Sequence, residues 1–221
     1  MNLNIVNNSL RSLKVGVSVL ALSIFALTAQ AQQEEHKNVN VRLGQKALLD
    51  GDFKSAVTHL EKALPAESKD PNVLHLLGYS QFQSGLYTKA AQTFAQVVAL
   101  NPKDANAYYY KAKANNTVAV ESNSKLSAAQ KSQLLQSAIE DYSKAIAISK
   151  NDSKLYQNRA VAYRDLGILR GEAGVVFDKT AATAAYNNAI ADYEKVLTYD
   201  AARKDIQTEV KKAKVYRDLL K

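Results

Sequence analysis

The chain of 221 residues contains no cysteine, so no disulfide can hold it together and no thiolate can act as nucleophile or metal ligand. Stability has to come from packing alone. Its three histidines, His36, His59 and His75, are scattered, with neither HxxxH nor HExxH spacing. GxSxG, GxGxxG and a Gly-Lys-Ser/Thr phosphate loop are also missing. Neighbouring acids occur as Glu34–Glu35 in a polar stretch and as Glu140–Asp141 within a helical pattern. Both pairs read as solvated surface, since catalysis needs perturbed groups that converge in a pocket. These absences predict a chain that is not an enzyme and that has no cofactor and no metal site. The formal charge is +8, but Lys and Arg are spread along the chain instead of gathered on a stripe with a docking motif, which excludes nucleic acid as a partner.

Residues 1–31 differ from the rest in having no acidic residue. Arg11 and Lys14 precede an apolar run from Val15 to Leu27, and Ala29-Gln30-Ala31 follows. A basic segment, a short apolar segment and an A-x-A end are the parts of a secretory signal peptide, with cleavage expected after Ala31. The run is shorter than the roughly 20 residues that a spanning helix needs. No cysteine near the cut could take a lipid, so no stable membrane anchor is expected after cleavage. The expected mature chain starts at Gln32 and works in a periplasm or as a secreted protein.

From Gly78 the sequence reads GYSQFQSGLYTKAAQTFAQVVALNP, with apolar residues at a 3.6 period on either side of Gly85 and a stop at Pro102. Moving the frame back by 34 places the same offsets on Gly44, Gly51, Phe53, Ala56, Leu60, Ala63 and Leu64; moving it forward by 34 places the first on Ala112. The period, the small residue and the Gly-x-Tyr/Phe-x-x-Ala run resemble the tetratricopeptide repeat, a helix-turn-helix unit of that length. A single hairpin of this kind cannot bury its apolar face and must stack on a neighbour. The resemblance implies an all-α fold, a right-handed α-solenoid of about four helix-turn-helix repeats with a C-terminal capping helix.

The expected order is a signal peptide over 1–31, a flexible lead-in over 32–37, then repeats at about 38–70, 71–104, 105–152 and 153–203, and a capping helix over 204–220. Pro65 is expected to close the second helix of the first repeat at Leu64. The steps from Ala90 to Ala138 and from Ala138 to Ala189 exceed 34, so residues have been added inside the third and fourth repeats. A capping box beginning at Ser127 suggests that the addition in the third repeat lengthens its helices. The two enlarged hairpins are expected to project together. In the last helix, Ile206, Val210, Ala213, Tyr216, Leu219 and Leu220 share one face.

In the family resembled, the first helix of each pair lines a concave groove that holds a partner peptide. A 3, 4, 3 spacing keeps residues on one helical face, and it selects four strips. They are Asn38, Val41, Gln45, Leu48; Asn72, His75, Tyr79, Phe82; Asn106, Tyr109, Lys113, Asn116; and Lys154, Gln157, Val161, Arg164. None of these residues is acidic, and the strips pass from apolar and aromatic to amide to basic. The expected partner is another envelope protein or peptide segment, with apolar residues over Tyr79 and Phe82 and acidic groups near Lys113, Lys154 and Arg164. Tyr87, Tyr142, Tyr156, Tyr163 and Tyr193 fall at core offsets of the repeat, whereas Tyr109 does not. The expected function is a non-catalytic scaffold or adaptor. Two alternatives are an accessory subunit or enzyme of cell-wall metabolism, which would need converging carboxylates, and a self-assembling structural protein.

Overall fold

A computed structural model describes residues 36–122, 124–172, 174 and 177–220. The expected signal peptide lies outside the described residues. Among those described there are nine helices and no strand: α1 Val39–Leu49, α2 Phe53–Glu67, α3 Pro71–Gln83, α4 Tyr87–Leu100, α5 Ala105–Val120, α6 Ala128–Ile148, α7 Ser153–Gly171, α8 Lys179–Tyr199 and α9 Lys204–Asp218. No helix among them is long and apolar enough to cross a membrane.

Local sequence explains where the helices begin and end. Asp52, Asp70, Asp104, Asp152 and Asp178 each stand at an N-cap and accept a backbone N–H of the first turn. Such caps satisfy donors that the helix itself leaves open. Ser127 and Gln130 close the capping box that starts α6. Gly51 and Gly85 turn the chain at φ 75° and 76°. In each turn the following residue donates back to the helix, Asp52 to Ala47 O at 2.9 Å and Leu86 to Gln81 O at 2.8 Å. That 6→1 bond defines a Schellman ending, and the left-handed residue within it favours glycine.

One expected boundary is wrong. Pro65 does not end α2, which continues to Glu67. A proline so close to the C-terminus removes a single hydrogen bond, and the last turns of a helix tolerate that loss.

Each helix packs on the next in the sequence, and the longer-range contacts are of one kind: α1 touches α3, α3 touches α5, α5 touches α7 and α7 touches α9. Among the described residues no two even-numbered helices bring their backbones close together, and α2 and α4 meet only through long side chains, Lys89 Nζ reaching Glu61 Oε1 at 3.1 Å. The odd helices therefore form the tight inner row of a curved stack and the even helices its spread outer row. Small residues set the approach within each pair. A Cβ added to Gly44 would lie 2.6 Å from Leu60 Cγ, one on Gly78 2.9 Å from Phe94 Cε2 and one on Gly167 3.0 Å from Tyr186 Cε1.

The enlarged hairpins α5–α6 and α7–α8 are tied together. Arg170 Nη2 donates to Ser132 Oγ at 2.9 Å, and Asn116 Nδ2 donates to Asp165 Oδ2 at 3.0 Å. At the C-terminal end, α9 buries Ile206, Val210 and Ala213 but leaves Tyr216 and Leu219 exposed. The apolar face expected to continue to residue 220 is therefore only half covered, because among the described residues α8 alone runs along α9.

Candidate functional site

The strips on α3, α5 and α7 lie on the inner row, and Tyr79 and Phe82 of the first, Tyr109 and Lys113 of the second and Lys154 of the third meet around one aromatic cluster. Tyr110, packed from α5, stacks on Phe94 with ring centroids 5.4 Å apart and meets Tyr79 at 5.5 Å, Phe82 at 5.6 Å and Tyr109 at 5.0 Å, edge to face. Offset and edge-to-face contacts of this kind suit the ring quadrupole. The sequence reading missed Tyr110. Its only signal was its place in the Tyr108–Tyr110 run, on the side of α5 that meets α3.

Two lysines stand over this cluster. Lys113 Nζ lies 5.3 Å from the Phe82 ring centre and 5.8 Å from that of Tyr109, and Lys154 Nζ lies 4.5 Å from the same Tyr109 ring. These are cation–π distances. Among the described residues no carboxylate is within ion-pair distance of either ammonium. Burial, and then the neighbouring charge of Lys154, hold Lys113 below the ordinary lysine range. Burial, with Asp152 nearby, pushes the Tyr109 hydroxyl up to about 12, so it is a neutral phenol at physiological pH.

Other strip residues differ from expectation. Tyr109, expected to be free of a core role, is 4% exposed and packs against Tyr142 at 6.1 Å. Asn116 is 8% exposed and tied to Asp165. Arg164 is no open cation: it bonds Asp165 Oδ1 at 2.9 Å and Glu209 Oε2 at 3.0 Å, two acids outside the strips. His75 sits edge-on to Phe94 with Nε2 3.9 Å from Asp104, and burial lowers its pKa. Gln157 accepts from Arg203 at 3.3 Å. Val41 is fully buried in the core beside Leu60 and Leu77, so the first strip offers little to a ligand. Asn72, Asn106 and Lys154 are exposed at the N-terminal ends of their helices.

The buried acids have structural partners. Asp141, expected on a solvated face, is 1% exposed and lies 3.0 Å from Lys111 Nζ. Asp192 holds Arg159 through two bonds of 2.7 and 2.8 Å. Among the described residues one cluster has metal-ligand residue types, His36 with Glu67 and Asp70, whose ligand atoms lie within 4.8 Å of one another. His36 Nδ1 accepts the Asn38 N–H at 3.1 Å, which leaves the neutral ring's proton on Nε2, the atom facing both acids. A metal would need the lone pair of that atom, so the cluster reads as a tether for the chain entering α1. A cleft of about 780 Å³ lies at the other end, between α7, α8 and α9. Among the described residues its lining is apolar apart from Glu172 and the hydroxyls of Tyr186 and Tyr216, and these form no convergent group.

Comparison with known proteins agrees with this architecture. The chain is similar to the MamA protein over 81% of its own length and 91% of that chain, with a TM-score of 0.52 and 22% identity. It is likewise similar to MamA 41-end from Desulfovibrio magneticus RS-1 over 85% of its own length and 97% of that chain, with a TM-score of 0.51 and 18% identity. The fold is that of a tetratricopeptide-repeat solenoid. Residues 50–117 match the family model for subunit 3 of the anaphase-promoting complex, or cyclosome. The TPR repeat-containing protein YpiA of Bacillus subtilis (strain 168) is 31% identical over 94 residues, which is 42% of this chain and 22% of that protein. The tetratricopeptide-repeat fold is a scaffold for protein–protein contacts, and its stacked hairpins leave an extended concave surface. In this chain the inner row carries Tyr79, Phe82, Lys113 and Lys154.

Proposed function

We propose that this tetratricopeptide solenoid is a non-catalytic adaptor that is exported from the cytoplasm and holds a segment of another envelope protein along its inner row. The observation that carries the reading is the pair Lys113 and Lys154: two ammonium groups over one tyrosine ring, neither within ion-pair distance of a carboxylate among the described residues, on the face where a repeat scaffold offers its groove. Like charges that share an aromatic seat raise each other's cost, and an anionic guest removes that cost. Tyr79 and Phe82 continue the same surface as apolar anchors, and aromatic side chains commonly dominate interface energetics.

Export rests on the basic, apolar and A-x-A order of residues 1–31. A non-catalytic role is supported by Asp141, Asp165 and Asp192 each being held by a basic or amide side chain of the fold. The test is co-purification of a cross-linked partner from intact cells, with the native chain and with Lys113→Glu/Lys154→Glu. Loss of the partner with the double variant supports the reading, and unchanged recovery overturns it. Mass spectrometry of the exported chain checks the rest: an N-terminus at Gln32 supports export, and an intact Met1 overturns it.

A further inference from the structure

The cleft at the C-terminal end of the stack has an uncovered apolar mouth. Three elements supply it: Ile168 from the last turns of α7, Phe177 from the turn into α8, and Tyr216 and Leu219 from α9. All four are exposed, Leu219 to 65%, and Val215, 54% exposed, extends the ridge along α9. An apolar patch rimmed by polar residues marks a surface that meets a protein or a membrane.

Two observations choose between those occupants. A protein interface carries roughly one hydrogen bond per 100–200 Å², but the polar groups of this lining, Glu172 and the hydroxyls of Tyr186 and Tyr216, form no convergent group. Hydrocarbon asks for none. The second observation is charge: from residue 211 to 218, α9 carries Lys211, Lys212, Lys214 and Arg217 against Asp218 alone. Lys212, Lys214 and Arg217 hold Glu209, Glu194 and Asp218 at 2.9, 3.0 and 2.8 Å, in solvent-facing pairs that contribute little. Lys211 is exposed and stands one turn before Val215 on the same face of α9, as Lys212 stands before Tyr216. A second copy docked here would bring these lysines against their own kind. An anionic surface meets them with opposite charge.

The spacing fits a lipid surface as well. Lys211 and Lys212 lie about 10–12 Å from Leu219 along the helix axis. An amphipathic helix at an interface buries its apolar residues about 5–10 Å into the boundary of headgroups and acyl chains. With the end of α9 leading, the two ammonium groups therefore stay level with the lipid phosphates.

We infer that the C-terminal end of the solenoid is a peripheral docking surface for an anionic membrane, with Leu219, Tyr216 and Phe177 entering the edge of the acyl region and Lys211 and Lys212 holding the headgroups. Such contact is reversible and weakened by salt, unlike a spanning anchor. It goes beyond the adaptor reading and leaves that site open, since Lys154 begins α7 and Ile168 lies about 20 Å further along the same helix.

The test is co-sedimentation of the chain, in the form cells make it, with vesicles of phosphatidylcholine alone and of equal parts phosphatidylcholine and phosphatidylglycerol. Binding is expected with the anionic vesicles, is expected to fall as sodium chloride is raised, and should be slight with the neutral ones. Lys211→Gln/Lys212→Gln should weaken it about thirtyfold, the effect of two cations lost near an anionic surface. Val215→Ser/Leu219→Ser should weaken it about tenfold or more. All four side chains are exposed, so thermal melts of both variants should match the native chain. Binding that survives both double variants belongs to another part of the chain and overturns the inference.

A second arm uses the unmutated chain. Lipid spin-labelled on its acyl chain should broaden the methyl signals of Val215 and Leu219 and spare those of Leu49 and Leu100, which are exposed on other repeats. Equal broadening of all four, or equal binding to neutral vesicles, also overturns it. So does a doubled mass without lipid that Val215→Ser/Leu219→Ser reverses, because a second copy would then be the occupant.

Discussion

Arg159 on α7 grips Asp192 on α8 with a two-point ion pair, Nε to Oδ2 at 2.7 Å and Nη2 to Oδ1 at 2.8 Å, and its third nitrogen reaches Ser143 Oγ on α6 at 2.9 Å. The planar fork joins three helices of the last two repeats, and a lysine cannot reproduce it. Arg159→Lys should keep the charge yet lower stability by about 1.5–3 kcal/mol. Urea unfolding followed by circular dichroism would measure it, and an unchanged midpoint would show that the fork contributes nothing.

Gly78 faces Phe94 with no room for a methyl group, since the added Cβ would be 2.9 Å from Cε2 of a ring that is itself fully buried. Gly78→Ala should therefore overpack the α3–α4 contact at a cost of about 1–3 kcal/mol. Gly85→Ala meets no atom within 4 Å, and its cost, about 1–2 kcal/mol, comes from the backbone at φ 76° alone. Adding Phe94→Leu should rescue the first variant and not the second, as read from the thermal midpoints of all four chains.

Lys111 and Asp141 form a pair in which the acid is almost wholly covered, and burial outweighs the lysine in moving the carboxyl above its ordinary 3.8. An acid whose folded pKa is raised contributes most below its unfolded value and loses that contribution as pH rises through the folded value. At neutral pH the pair should add little net stability. Asp141→Ala alone strands the lysine and should cost up to about 3–5 kcal/mol, whereas Lys111→Met with Asp141→Leu should be neutral or stabilising. Denaturant midpoints of the two variants decide the matter, and a double variant as weak as the single one would contradict it.

Lys113 loses its proton more readily than an ordinary lysine at 10.5, because of burial first and Lys154 second. The unfolded chain therefore holds this proton where the folded chain has begun to release it. For this group, stability rises with pH across the interval from the folded value up to 10.5. Lys154→Gln removes the repelling charge and should move the Lys113 titration upward, toward 10.5. A titration of the 13C-labelled lysine in both chains would show it; a fall, or no change, would mean that the two ammonium groups do not sense each other.

Much of the fold is legible in single residues. Asp52, Asp70 and Asp104 announce helix starts because a short acidic side chain reaches the open backbone donors two or three residues on. Gly51 and Gly85 announce turns because the left-handed conformation excludes most side chains. The small residue at Gly44 and Gly78 foretells a close helix crossing one hairpin at a time. The candidate site is legible only in part. The 3, 4, 3 rule places Tyr79, Phe82, Lys113 and Lys154 on inner helices, but helical spacing cannot say which of two packed neighbours covers a strip residue. Val41 and Tyr109 lie in the core for that reason, and Arg164 is neutralised by Asp165 and Glu209, one of them on a helix that follows much later in the chain.

The sequence by itself determined what local chemistry can dictate: helices capped by aspartate, turns opened by glycine, a repeat that must stack because one hairpin has too little apolar surface to bury alone. Only the tertiary structure decided which charges remain without partners. That outcome depends on distances between residues from different repeats, such as Lys113 and Lys154 meeting over Tyr109, and such distances are set by how the hairpins pack and not by their order along the chain.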